Sequence, residues 1–483
     1  MKLKDLFKNI PIQMLGDENI EINGISSHSK EVEMGDLFIL KQGKSFTGID
    51  FLPEIIHRGA RALLTESLLP LCQLAQIICK SIATIELLLL HRFYRLFENA
   101  PAIFGITGTC GKTTTAFLAK KIFEYKGLPC GVIGTLGAFI GQEHLPTSLT
   151  TPSLTTSHKL LAKIKQKGFP IAVMEVSSHA LTQNRIEGID FSIGVFTNFS
   201  HEHLDYHKTL ENYFEAKCGL FRSLTKEATA IFNQDDSKSS LVQRVTQAHI
   251  FTYGIESKAD VRASNIQLSL TTSSFTVHFQ DKRVSFSIPL VGIFNVYNTL
   301  AAVSMGLVQG LDLEEIAVSL HEFSFGFGRL ESITLPRKKT PYVFVDYAHK
   351  PKALQHILTT LRQWKKNRLF IVFGCGGDRD KEKRPLMASI AEAYADLVIV
   401  TNDNPRSEDP KKIITEIITG FTQENYVIEE NRYLAIKKAI ALSTLEDIIL
   451  IAGKGHETKQ IFSNHELLFD DREVAREFLS QNF

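Results

Sequence analysis

The chain has 483 residues, too many for one compact core, so two or three domains are expected. Hydrophobic residues make up 44% and charged residues 22%, ordinary for a water-soluble globular protein, and a net charge of +1 gives no electrostatic case for nucleic acid or an anionic membrane as partner. Six cysteines with no CxxC pair exclude a disulfide framework and fit a reducing cytoplasm.

The first segment, MKLKDLFKNIPIQML, carries charges throughout and lacks an apolar signal core. Short strands such as GDLFIL and helices such as FLPEIIHRGA then follow one another. The greasiest segment, SIATIELLLLHRFYRLF, is interrupted by Glu86, His91, Arg92 and Arg95. It is too short and too charged to span a bilayer and reads as an amphipathic core helix. From Ala102 strands and helices alternate: AIFGIT is a strand, KTTTAFLAKKIFEYKG a helix ending at Gly127, and PIAVMEV and IGVFTN are buried strands. Such alternation predicts a parallel sheet between layers of helices. Residues Val261 to Leu290 break the rhythm, because IQLSL, SFTVHFQ and RVSFSIPL alternate apolar and polar as half-exposed antiparallel strands do. A second α/β stretch begins near Tyr342, with YVFVDYAH, RLFIVFG, DLVIV and DIILIAG as strands and KPKALQHILTTLRQW as a helix. The expected fold is α/β in three domains, residues 1–97, 98–327 and 328–483: a small α/β leader, a central mononucleotide-binding parallel sheet with an antiparallel patch, and a C-terminal Rossmann-like open sheet.

FGITGTCGKTTT, Phe104 to Thr115, joins the first of those buried strands to its helix. Glycines let backbone N–H groups turn toward an anion, and the helix N-terminus adds its dipole. Gly105, Gly108 and Gly111 are read as the flexible positions, Lys112 reaches the β and γ phosphates, and Thr113 ligates Mg²⁺. The usual loop has glycine where this chain has Ile106, yet strand, glycines, lysine, threonine and helix all fall in order, which points to ATP. Glu175, at the end of the strand PIAVMEV, is placed to meet a phosphate-bound metal, and Ser177, Gln183 and Arg185 just after it suit an anionic substrate. TNFSHEHLDYH offers His201, His203, Asp205 and His207; a zinc site would need a fixed helical frame and an outside ligand, so one histidine, His203, beside a second Mg²⁺ is the more economical reading. Lys217, alone among apolar residues in YFEAKCGLF, reads by itself as a snorkelling helix lysine.

Together these motifs resemble the Mur ligases, which build the peptide stem of peptidoglycan by ATP-driven amide formation. GITGTCGKTTT, TTPS, MEVSSHAL, TNFSHEHLDYH, NVYNTLAA, FGRLE and VDYAHKP stand in that family's order and cover nearly the whole chain. Within the family the chain is most similar to the type that adds the third stem residue to UDP-N-acetylmuramoyl-L-alanyl-D-glutamate. The resemblance implies that Gly108, Thr109, Cys110, Gly111, Lys112, Thr113 and Thr114 hold ATP, with Asn298 at the adenine, Arg329 reaching ATP and Asp346 near the ribose. It implies that Lys217 is carbamylated by CO₂ and joins Thr113, Glu175 and His203 as a metal ligand. Lys112, Glu175, His203 and Lys217 are thus the expected catalytic residues. A neutral amine is needed for CO₂ attack, and burial lowers a lysine pKa.

Substrate contacts carry over in the same way. Thr150, Thr151, Ser177, Gln183 and Arg185 match residues holding the muramoyl dipeptide. Ser27, Ser29, Lys44, Ser45 and Phe46 are the candidate uridine contacts, although His28 and Lys30 replace the family's Asp and Arg and Phe327 replaces a proline. TNDNPRSEDP contains Asp403, Asn404, Pro405 and Arg406, the signature of the enzymes that add meso-2,6-diaminopimelate rather than lysine. The extra carboxylate of that amino acid needs a fixed cation, and a guanidinium binds carboxylate by two parallel hydrogen bonds. Arg379 and Arg406 match the two arginines, and Gly453 and Glu457 of AGKGHE match partners of the distant ammonium. The resemblance implies a cytoplasmic monomer. Other readings are a lysine-adding ligase of the same fold, a folylpolyglutamate synthetase, and an ATP-binding regulator without ligase chemistry.

Overall fold

The computed structural model describes residues 1–41, 48–70, 72–96, 98–321, 323, 328, 330–333, 335 and 338–483. They form two compact units: Met1–Arg262 with Phe279–Lys282 and Tyr297–Ile316, and Ala263–His278 with Arg283–Val296 and Ala317–Phe483. The first unit contains two separate sheets, so the expected boundary at residue 97 falls between two sheets of one unit.

The leading sheet has strands β1 (Gln13–Leu15), β2 (Gly24–Ser26), β3 (Asp36–Ile39), β4 (Ala62–Thr65) and β5 (Ala75–Ile78), in the order β1-β5-β4-β3-β2. Only β1 runs antiparallel to its neighbour. Leu37, Ile39, Leu64 and Ile77 meet Leu89 and Leu90 of the helix Ile82–Tyr94 in one core. That helix is amphipathic as its sequence predicts, and Glu86 is not a surface break in it: the side chain is buried and paired with Lys41 Nζ at 2.7 Å. No helix among the described residues is long and apolar enough to cross a membrane, and all six cysteines are free.

The central sheet is built from β6 (Ala102–Thr107), β7 (Cys130–Gly134), β8 (Gly137–Ile140), β9 (Glu143–Leu145), β10 (Ile171–Glu175), β11 (Phe191–Phe196), β12 (Thr229–Asn233) and β13 (His249–Gly254). Its order β13-β12-β11-β6-β10-β7 is parallel throughout, and β8 and β9 add an antiparallel margin. Strand β6 lies between β10 and β11, with Ile106 opposite Glu175 and Thr107 opposite Phe196. Three strand ends therefore reach the same carboxyl edge, where open α/β sheets take their ligands. Strands β14 (Val261–Leu268), β15 (Ser273–Phe279) and β16 (Lys282–Ile288) are neighbours in that order, with the alternating burial the sequence predicts. The turn between β15 and β16 is short enough only for antiparallel strands.

The last sheet has β17 (Glu331–Ile333), β18 (Tyr342–Asp346), β19 (Leu369–Phe373), β20 (Leu397–Val400), β21 (Tyr426–Ile428) and β22 (Ile448–Ala452), ordered β17-β18-β22-β19-β20-β21. All neighbours except β17 and β18 are parallel. Alternate residues feed two cores, Phe344, Ile371, Phe373 and Leu450 on one face and Val343, Val345, Phe370 and Ile451 on the other. A sheet buried on both faces needs such continuous apolar runs.

Candidate active site

The helix Lys112–Tyr125 starts at Gly111, whose φ is 88°, with no side-chain cap, and Gly108 has φ 149°. An uncapped helix start behind a left-handed glycine is a ready anion site. The loop is held from β11: Thr109 N–H donates to Asn198 O at 2.9 Å, Cys110 N–H donates to Asn198 Oδ1 at 2.9 Å, and Thr197 Oγ1 donates to Cys110 O at 2.7 Å. Lys112 Nζ donates to the carbonyls of Gly108 and Thr109. Thr114 is buried in the first turn, and Cys110 is exposed. A Cβ at Gly111 would collide with the Asn298 amide, which places that buried side chain against the loop. Gly105 is a correction to the sequence reading. It lies inside β6, not in the loop, and a Cβ there would sit 2.8 Å from Phe191 Cδ1, so its small size serves packing.

Glu175 ends β10 fully buried. Its carboxylate accepts from Thr113 Oγ1 at 2.9 Å, Thr135 N–H at 3.0 Å and Thr135 Oγ1 at 3.0 Å. Lys217 is 1% exposed, in the helix Leu210–Arg222. This corrects the snorkelling reading. The Nζ donates to Gly108 O at 2.8 Å and lies 4.5 Å from the centre of the Tyr213 ring. Burial, reinforced by the nearby Lys112 charge, pushes its pKa well below the ordinary lysine value. His203 adopts φ 57° at the start of the short helix Leu204–His207, 3.7 Å from Glu202 Oε2, with its ring against His179. His207 turns instead to Ser178 Oγ at 2.9 Å, with its pKa lowered by burial. His201 and Asp205 are exposed.

Among the described residues, no group of three or more His, Cys, Asp or Glu is set to hold a metal ion. Mg²⁺ keeps water and phosphate oxygens and takes one or two protein carboxylates, so it does not need such a cage. The hard oxygen pair of Thr113 and Glu175, beside an uncapped helix start, fits it.

The residues predicted for an anionic substrate converge beside Glu175. Thr151 Oγ1 donates to Glu175 O at 2.8 Å and receives Ser177 N–H at 2.9 Å. Arg185 donates to Thr151 O and through Nε to Gln183 Oε1, both at 3.0 Å, and Gln183 donates to Tyr206 Oη at 3.0 Å. Thr150 Oγ1 pairs with Thr135 Oγ1 at 3.1 Å. Ser177 Oγ accepts Ala180 N–H as the N-cap of the helix Ser178–Thr182. In the leading sheet, Ser27 Oγ pairs with Thr155 Oγ1 at 2.8 Å, and Ser29 is buried. Lys44, Ser45, Phe46 and Arg329 lie outside the described residues.

The second unit gathers its candidates at the carboxyl ends of β18, β19, β20 and β22. The Asp346 carboxylate accepts Leu330 N–H at 2.5 Å and Ala348 N–H at 2.6 Å. Asp403, Asn404 and Pro405 are buried, Arg406 has φ 54° and donates to Gly377 O at 2.9 Å, and Arg379 is exposed. Asn404 Nδ2 donates to Glu457 Oε2 at 2.6 Å, and Gly453 N–H donates to Asp346 O at 3.0 Å. Lys454, absent from the sequence reading, is fully buried and donates to Asn404 Oδ1 at 3.0 Å, Glu457 Oε2 at 3.2 Å and Lys459 O at 2.6 Å. Thr135, Asn198, Tyr206 and Tyr213, whose hydroxyl pairs with Thr109 Oγ1 at 3.2 Å, were missed as well. Their contacts join residues far apart in sequence, and the one available signal was their nearness to quoted motifs.

Fold and loop together define a phosphate-loop α/β protein with a second, open α/β unit. The chain belongs to the Mur ligase family: residues 106–306 match the Mur ligase middle domain and residues 328–455 the Mur ligase, glutamate ligase domain. It is 39% identical over 484 residues to the UDP-N-acetylmuramoyl-L-alanyl-D-glutamate–2,6-diaminopimelate ligase of Chlamydia muridarum, covering 99% of each chain. It is 42% identical over 462 residues to the ligase of the same name from Bacillus velezensis, covering 94% of each. A solved structure of a ligase so named superposes with a TM-score of 0.67 at 32% identity, over 100% of this chain and 99% of that one.

Proposed function

We propose that this chain is the ATP-dependent ligase that joins meso-2,6-diaminopimelate to UDP-N-acetylmuramoyl-L-alanyl-D-glutamate in peptidoglycan synthesis, acting as a cytoplasmic monomer. The observation that carries the chemistry is the fully buried amine of Lys217 on the carbonyl of Gly108, beside the uncapped loop helix. Burial favours the neutral amine, the form able to add to CO₂, and that addition would convert it to an anionic carbamate. The full-length likeness to ligases named for these two substrates supports the substrate assignment.

In the first step, the glutamate carboxylate attacks the γ-phosphorus of ATP, forming an acyl phosphate and releasing ADP. Lys112 and the N–H groups of the loop hold the phosphates in line, with Asn298 at the base and Arg329 and Asp346 supplied by later segments. Thr113 with Glu175, and His203 with carbamylated Lys217, would hold Mg²⁺, which would offset charge on the phosphoryl group. Thr151, Ser177, Gln183 and Arg185 orient the dipeptide acid, and Ser27, Ser29 and the 44–46 loop the uridine end. In the second step, the neutral amine of diaminopimelate attacks the acyl carbon, and the tetrahedral intermediate expels phosphate and loses a proton. Arg379 and Arg406 hold the distal carboxylate, with Asn404, Gly453 and Glu457 at the ammonium. The domains would be 1–97 for the nucleotide sugar, 98–327 for ATP and 328–483 for the amino acid.

The test offers meso-diaminopimelate and L-lysine together with ATP and the muramoyl dipeptide, and identifies the product by mass. A diaminopimelate tripeptide is expected; a lysine tripeptide, or ATP hydrolysis that ignores the acid, overturns the reading.

A further inference from the structure

Arg384 and Arg432 are the two largest fully buried side chains among the described residues, and the reaction outlined above gives Arg384 no task. It stands in the first turn of the helix Lys383–Tyr394 and points under the loops that follow β19 and β20. Its guanidinium grips Glu408 with both prongs, Nη1 to Oε2 and Nη2 to Oε1, each at 3.0 Å, and Nη2 also donates to Gly376 O at 3.2 Å. A second carboxylate, Glu416, accepts from Nη1.

Those contacts join the two loops that carry Arg379 and Arg406. Glu408 accepts Asp378 N–H at 2.7 Å, and Asp378 in turn accepts Ser407 N–H and Oγ. Gly377 N–H donates to Asn404 O at 2.9 Å. Gly376 is the floor between the two arginines: a Cβ there would sit 2.8 Å from Arg406 Nη1 and 3.8 Å from Arg379 Cγ. The Arg384 guanidinium holds Glu408 well ionised, down to about 2.

We infer that Arg384 is a positioning residue for amino-acid selection: its fork on Glu408 and Gly376 sets the spacing of Arg379 and Arg406, so that only an amino acid with a second carboxylate at its far end satisfies both. The inference rests on the reading that those two arginines receive that carboxylate. Two guanidiniums on separate loops match one carboxylate only if the loops keep a fixed separation, and a misplacement of about 1 Å costs on the order of 100-fold. A lysine at 384 keeps the charge and loses the second prong.

The test uses the full chain and compares R384K with D378N, which loosens the same clamp at the surface. For each, KM is measured for meso-diaminopimelate, ATP and the muramoyl dipeptide, together with the preference for diaminopimelate over L-lysine. The expected result for R384K is a rise of about tenfold in KM for diaminopimelate and a matching fall in preference, with the other two KM values within about twofold. D378N moves the same two readings in the same direction by less. If R384K fails to fold, D378N decides. Unchanged values in both variants, or equal losses for all three substrates, overturn the inference. Absence of a diaminopimelate product from the unaltered protein would instead overturn the substrate assignment.

Discussion

At the scale of single residues, burial decides the chemistry of Lys217. An ammonium with no water around it is poorly solvated, so the neutral amine gains, and the neutral amine is the form that captures CO₂. The folded-state pKa is depressed, so below the ordinary lysine value of 10.5 the unfolded chain binds more protons at this site and the bare lysine costs stability, a cost that shrinks as pH rises toward that value. Replacing Lys217 by Ala should abolish ligation while leaving the fold intact, with partial return of activity in acetate or formate; full activity without either would remove the lysine from the metal site. Arg406→Ala should cost about 2–5 kcal/mol in diaminopimelate binding, as loss of one partner of a charged hydrogen-bonded pair does, with little change in ATP affinity. Titration calorimetry of both ligands separates the two.

At the scale of elements, the phosphate loop owes its shape to the segment after β11 as much as to its own glycines. Thr197 and Asn198 between them hold the loop at Thr109 and Cys110. Thr197→Val removes a donor to Cys110 O and should raise KM for ATP about tenfold, on the order of 1.4 kcal/mol, while KM for diaminopimelate stays put. The strands read in the central sheet, β6, β10 and β11, and in the last sheet, β18, β19, β20 and β22, lie within about three residues of their observed ends, because buried parallel strands are continuous apolar runs bounded by turn residues, whereas β7, β12, β13, β17 and β21 were not read. Gly105 was misread for a physical reason: a glycine that admits a neighbouring ring and a glycine that turns the backbone look alike in one dimension. Lys217 was misjudged for a related one, since only the packed helix reveals that its ammonium has no route to water. Lys454 and Arg384 stayed hidden because their partners lie on loops that only the sheet order brings together.

Across the whole molecule, buried histidines contribute to the response to acid. His158 is fully buried, accepts no solvent, and its pKa is pushed by burial from 6.5 down to about 4. The unfolded chain therefore binds the proton first as pH falls, so stability is full above pH 6.5 and declines toward pH 4, by about 2 kcal/mol at pH 5 from this residue. Urea unfolding of the unaltered protein and of His158→Phe at pH 7.5 and pH 5 should differ by that amount in their pH response; parallel behaviour would exclude His158 as a source. The order of chemical motifs along the chain revealed the family and the likeness of substrates, because those motifs sit at strand ends where loops meet ligands. The phosphate loop, Glu175 and Lys217 lie in the first unit, and the arginine loops in the second.

The strand register places Ile106 opposite Glu175 and Thr107 opposite Phe196. Side chains alternate faces along a strand, so inserting one residue upstream in β10 would rotate the carboxylate to the far side of the sheet with no change at any named position. The meeting of Glu175 with the Thr113 hydroxyl is thus stored in the alignment of the sheet rather than in its side chains alone. Loops beyond the strand ends can change without disturbing that pairing, whereas one residue added to or dropped from the strand moves every later side chain to the other face.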